Sequence, residues 1–166
     1  MIDRDVIIRA FPATAVTRPN FHDLAKVILD RAESDRFFNV LFWTDVIDFG
    51  LEDVGGHGLG PLLSIMPADM AVAFIPAWLV IGLENAFPCD GVISALAANL
   101  DPIAANSSEE KRRFQTIYGS YSLHQREVIS QTMLEIADLN FRKYPDAYAQ
   151  FSTIVAYWSL ERDHNR

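Results

Sequence analysis

Residues 71–83 constrain this chain more than any other stretch, because all thirteen are apolar. A membrane-spanning helix takes about 20 apolar residues, so a buried core element is the expectation instead. Upstream, Met66-Pro67-Ala68-Asp69 reads as a helix start. Proline is favoured at the first helical position, and a carboxylate in the first turn faces the positive end of the helix. A central helix over 70–87 is therefore predicted. Pro76 lies inside it and would kink it or divide it in two, and 72–74 and 79–81 also fit short buried strands.

Helical spacing recurs on both sides of this core. Residues 3–11 put Val6, Ile7 and Ala10 on one face, with Pro12 as a stop. A second helix is expected over 21–32, from Leu24, Val27 and Ile28, and a third over 35–49, capped by Ser34 and dense in apolar residues. The glycine-rich run 55–61 breaks regular structure. Asp90 opens a helix over 91–99 that Asp101-Pro102 ends, and 104–108 is a small-residue loop. Another helix covers 109–118, with acids early and Lys111, Arg112 and Arg113 later. Ser122 and Gln125 form a capping box that opens a long helix to about Asn140, whose buried stripe is Val128, Ile129, Met133, Ile136 and Ala137. Pro145-Asp146 starts the last helix, with Tyr148, Phe151, Ile154, Val155 and Trp158 at helical intervals. The expected fold is mostly α: one compact domain over 1–166 of about seven packed helices, neighbours antiparallel.

Charge is distributed unevenly. Residues 1–36 hold six acids and six bases, and 109–166 hold eight of each. Residues 37–108 hold eight acids and no lysine or arginine, so the formal net charge of −8 resides in that stretch. A segment without cations builds no phosphate-binding surface, and nucleic acid is not an expected partner of it. Burial does not account for the pattern, since it excludes Asp and Glu as strongly as Lys and Arg. Cys89 is the only cysteine, so no disulfide forms within the chain. The first five residues carry charges where a signal peptide has an apolar run, and a cytoplasmic location with no membrane association is expected.

The segment Phe74-Ile75-Pro76-Ala77-Trp78-Leu79 resembles the aromatic-aliphatic-Pro-Ala-aromatic-Leu signature of a family of short bacterial domains of unknown function. Asp101-Pro102, Phe114 and Ser122-Leu123-His124-Gln125 follow in that family's order, so the resemblance covers roughly 60–140. The chain has Met70-Ala71-Val72-Ala73 where family members often carry a Gly-Phe-Arg-like stretch. The resemblance implies a shared fold unit and brings no activity with it.

Three of the central acids, Asp69, Asp90 and Asp101, fall at expected helix ends, where capping explains a carboxylate. The remainder are Asp45, Asp48, Glu52, Asp53 and Glu84. In a helix Asp45, Asp48 and Glu52 would share one face, repelling one another by a few tenths of a kcal/mol per pair. They form either a solvated face countered by Arg112, Arg113 or the N-terminal helices, or a patch for a basic partner. His57, in the adjacent glycine-rich run, joins them as a partner-binding candidate. That run lacks the Gly-Lys-Ser/Thr of a phosphate loop, and no calcium-loop spacing is present. The four histidines are scattered, Gly119-Ser120-Tyr121-Ser122 lacks the second glycine of a nucleophile elbow, and Asp90 beside Cys89 disfavours a thiolate.

No catalytic residue, metal ligand or cofactor is assigned on these grounds. The leading expectation is a non-enzymatic binding protein of immunity or antitoxin type, whose acidic surface neutralises a basic protein. The alternatives are a metal-dependent enzyme using clustered carboxylates, or a structural subunit whose apolar faces pair in a homo-oligomer.

Overall fold

The computed structural model describes residues 2–13, 37, 39–48, 59–85, 90–142 and 145–159. Seven α-helices are found among them: α1 (Arg4–Ala10), α2 (Leu59–Ile65), α3 (Ala68–Glu84), α4 (Asp90–Leu100), α5 (Ser108–Gly119), α6 (Leu123–Asn140) and α7 (Pro145–Ser159). A single 3-10 turn, Trp43–Val46, precedes α2. The helix expected over 21–32 lies outside the described residues.

The apolar stretch becomes α3, one helix of 17 residues with Pro76 inside it, and the strand alternative is not adopted. From Phe74 to Gly82 every residue is buried, which explains why the segment shows no polar face. Helices α1, α2, α4, α5 and α6 and the 3-10 turn all pack against it, while α7 packs on α6 and α4. Gly82 permits a close approach to α6: a Cβ there would stand 3.2 Å from Cδ1 of Ile136, which is fully buried.

Local signals set most helix starts. Asp3 accepts from the Val6 N–H at 3.0 Å and caps α1. Ser107 and Glu110 form a reciprocal box at α5, as do Ser122 and Gln125 at α6. The region around 35–49 departs from the expected helix. Phe42 is extended, at φ −131° and ψ 151°, and only one 3-10 turn follows it. The turn buries Trp43 and Val46, and the Trp43 indole N–H donates to the Phe11 carbonyl at 3.2 Å. Anchoring that indole to the end of α1 outweighs helical propensity, and Leu41 is left 57% exposed. Leu59, Gly60 and Pro61, expected within the glycine-rich break, belong instead to the first turn of α2. A proline is tolerated there because first-turn N–H groups have no intrahelical acceptor.

Backbone carbonyls left open at helix ends and at Pro76 are met by side chains distant in sequence. Gln125 donates to the Ala10 carbonyl at 3.0 Å, and the Trp158 indole donates to that of Leu100 at 2.8 Å. Pro76 has no N–H for the carbonyl of Val72 one turn earlier, and the Tyr121 hydroxyl donates to that oxygen at 2.7 Å. Burial pushes the Tyr121 phenol well above its ordinary range, so it remains the proton donor. Phe11 and Trp158 pack against the Tyr121 ring, with centroids 5.6 and 6.2 Å away. Aromatic rings from three parts of the chain, the end of α1, the α5–α6 connection and α7, thus gather at the repair of one proline.

Candidate functional site

The central acids divide by what their oxygens touch. Asp69 lies in the first turn of α3. Asp101 is buried, accepting from the Ile103 N–H at 2.8 Å and from Gln150 at 3.2 Å. Asp45 accepts from the N–H groups of Leu41 and Phe42, both at 2.9 Å, and so holds the entry to the 3-10 turn. Asp45 lies in the 3-10 turn and Asp48 beyond its end, so the two are not on the shared α-helical face that was expected. Glu52, Asp53, His57 and Cys89 lie outside the described residues.

Asp48 and Glu84 converge on Arg4, whose guanidinium lies 3.8 Å from a carboxylate oxygen of each. All three side chains are substantially exposed, so each ion pair contributes about 0–1 kcal/mol. Arg4 and Glu84 also line a groove of about 540 Å³ with Ile2, Asp3, Asp5, Leu83, Glu135 and Leu139. Four carboxylates against one guanidinium leave the lining formally at −3, and Asp48 adds to this through Arg4. Glu84 is the last residue of α3, where the exposed carbonyls already make a negative end, so its charge does not stabilise the helix.

Asp3, Asp5 and Glu135 escape sequence reasoning because they belong to the two segments whose acids and bases balance. A count along the chain averages out charges that the fold separates in space. Weaker signals exist: Asp3 and Asp5 lie in the first turn of the helix expected over 3–11, and Glu135 lies off the apolar stripe of α6.

Arg113 is not a counter-charge for these acids. Its guanidinium reaches the carbonyls of Leu63, at 2.9 Å, and Met66, and donates twice to Asn99 Oδ1, at 3.1 and 2.8 Å. It thereby caps the C-terminal end of α2 and ties α2, α4 and α5 together. Burial lowers its pKa from the ordinary arginine value. Cavities of about 500 and 140 Å³ border it, the first also lined by Glu109, Glu110 and Arg112, the second by Asp101 and Glu110. Their linings carry both signs of charge in closer balance than the groove of Arg4 and Glu84.

Among the described residues, no group of three or more His, Cys, Asp or Glu is placed to hold a metal ion. Among them, too, no helix is long and apolar enough to cross a membrane. No family model, curated protein or solved structure matches the chain.

Proposed function

We propose that this chain is a cytoplasmic, non-enzymatic binding protein that neutralises a basic protein partner, in the manner of an immunity or antitoxin protein. The observation that carries the reading is the groove between α1, α3 and α6, where four carboxylates face one guanidinium. Such a surface attracts a cationic protein from beyond contact distance and speeds encounter. The ion pairs of Arg4 are long and exposed, so a lysine or arginine of the partner can replace it beside Glu84 or Asp48 at small cost. The motif at 74–79, being wholly buried, is read as a packing signature without surface chemistry.

The test is capture of a basic partner from the native host by the full chain, followed by binding measurements over a salt series. Affinity is expected to fall steeply between 50 and 500 mM NaCl, roughly the range over which exposed charges become screened. Charge reversal by Glu84→Lys should weaken binding at least tenfold, mainly in the association rate. Binding that ignores salt and tolerates the reversal refutes the proposal.

A further inference from the structure

The groove is not lined by acids alone. Each of the three segments that build it supplies an apolar side chain next to its carboxylates: Ile2 beside Asp3 and Asp5, Leu83 beside Glu84, and Leu139 beside Glu135. Glu135 and Leu139 are four residues apart on α6 and share a face. Ile2 and Leu83 are half-buried against the core, but Leu139 is 53% exposed and is not needed to close it. The groove, about 540 Å³ in volume, lies open to solvent and has room for one side chain with its neighbours along the rim.

Resting on the acidic-groove reading above, we infer that the partner presents a short amphipathic segment in which one apolar side chain is flanked by lysines or arginines. The apolar side chain enters among Ile2, Leu83 and Leu139, and its cationic neighbours meet Asp3, Asp5, Glu84 and Glu135. Charge complementarity selects the occupant: a neutral apolar peptide would leave the four carboxylates uncompensated, and an acidic one would be repelled. The two kinds of contact divide the work. The carboxylates raise the association rate and the apolar contact slows release.

Two fluorescent peptides of equal charge test this on the full chain by anisotropy: acetyl-Lys-Lys-Leu-Lys-Lys-amide, and the same peptide with serine in place of leucine. The leucine peptide is expected to bind about tenfold more tightly, the factor that burying most of one leucine supplies. Leu139→Ser, at an exposed position, should erase that advantage, bringing the two peptides to equal affinity. Glu84→Gln combined with Glu135→Gln should weaken both. Equal affinities for the two peptides, or no response of the leucine peptide to Leu139→Ser, overturn the inference and leave the acidic reading standing. Failure of both peptides to bind at low salt removes both together. A concentration-dependent dimer that Leu139→Ser dissociates also overturns it, assigning the groove to a second copy of the chain.

Discussion

Replacing Tyr121 by phenylalanine removes one oxygen, and the structure locates the cost two elements away. The Val72 carbonyl faces a proline at position 76, which has no N–H to offer it, and the Tyr121 hydroxyl donates to it instead at 2.7 Å. An orphaned buried carbonyl costs about 1–3 kcal/mol. Val72 is half-buried, so water reaches the site in part, and about 1.5 kcal/mol is expected for Tyr121→Phe. A second substitution isolates the cause. Pro76→Ala restores an N–H that bonds Val72 within the helix. Tyr121→Phe then no longer orphans the oxygen, and its cost should fall to about 0.5 kcal/mol. The coupling between the two sites is therefore about 1 kcal/mol. Pro76→Ala has effects of its own, gaining helix propensity and losing a buried ring, but these cancel in the cycle. Urea unfolding of the four proteins, followed by tryptophan fluorescence, measures all the terms. Equal costs of Tyr121→Phe in both backgrounds would refute the proline-repair argument.

The same hydroxyl sets an alkaline limit. Its pKa is raised in the folded state, so its contribution is complete below the unfolded phenol's value near 10.0 and is lost as pH climbs towards the folded one. Tyr121→Phe should flatten that part of the stability profile, measured by urea midpoints. At the acid end, backbone and hydroxyl bonds from Ser107, then the Asn106 N–H, hold the Glu110 carboxyl below its ordinary range. Its contribution is present above the unfolded value of 4.5 and disappears as pH falls through the folded one, so Glu110→Gln should lose this acid dependence in thermal melts. Arg113→Ala strips donors from Leu63, Met66 and Asn99 and should cost about 3 kcal/mol. Arg113→Lys should recover only part of it, because an ammonium lacks the planar fork; urea unfolding of both variants decides. Thermal melts of the full chain in Mg²⁺, Mn²⁺ or Ca²⁺ should not shift, whereas a rise would favour the carboxylate-metal alternative.

Helix starts were the most legible part of this chain. The Ser122–Gln125 box, the Pro67–Asp69 start and the Asp101-Pro102 stop each depend on groups within about four residues, and each is found where the sequence indicates. The burial of 74–82 within α3 was likewise written in the lack of polar residues there. Over the described residues 39–48, the helix expected at 35–49 gives way to one 3-10 turn, because apolar density is not apolar periodicity. Trp43 binds the end of α1, 32 residues away, and that contact draws the backbone out of the helix.

Only the tertiary structure decided where the charge acts. The net −8 belongs by count to 37–108, yet Asp45 and Asp101 serve the backbone. The groove takes just Glu84 from that stretch and Asp3, Asp5 and Glu135 from segments that are neutral on balance. Arginines play the complementary parts: Arg4 enters the groove, and Arg113, a candidate counter-charge in the sequence, caps α2 instead. The N-terminal capping bonds span a few residues, so the sequence by itself determines them, whereas the carbonyls at the ends of α1, α2 and α4 are met across the fold by Gln125, Arg113 and Trp158. Electrostatic fields act through space, and which carboxylates share a surface is determined by the packing of α1, α3 and α6.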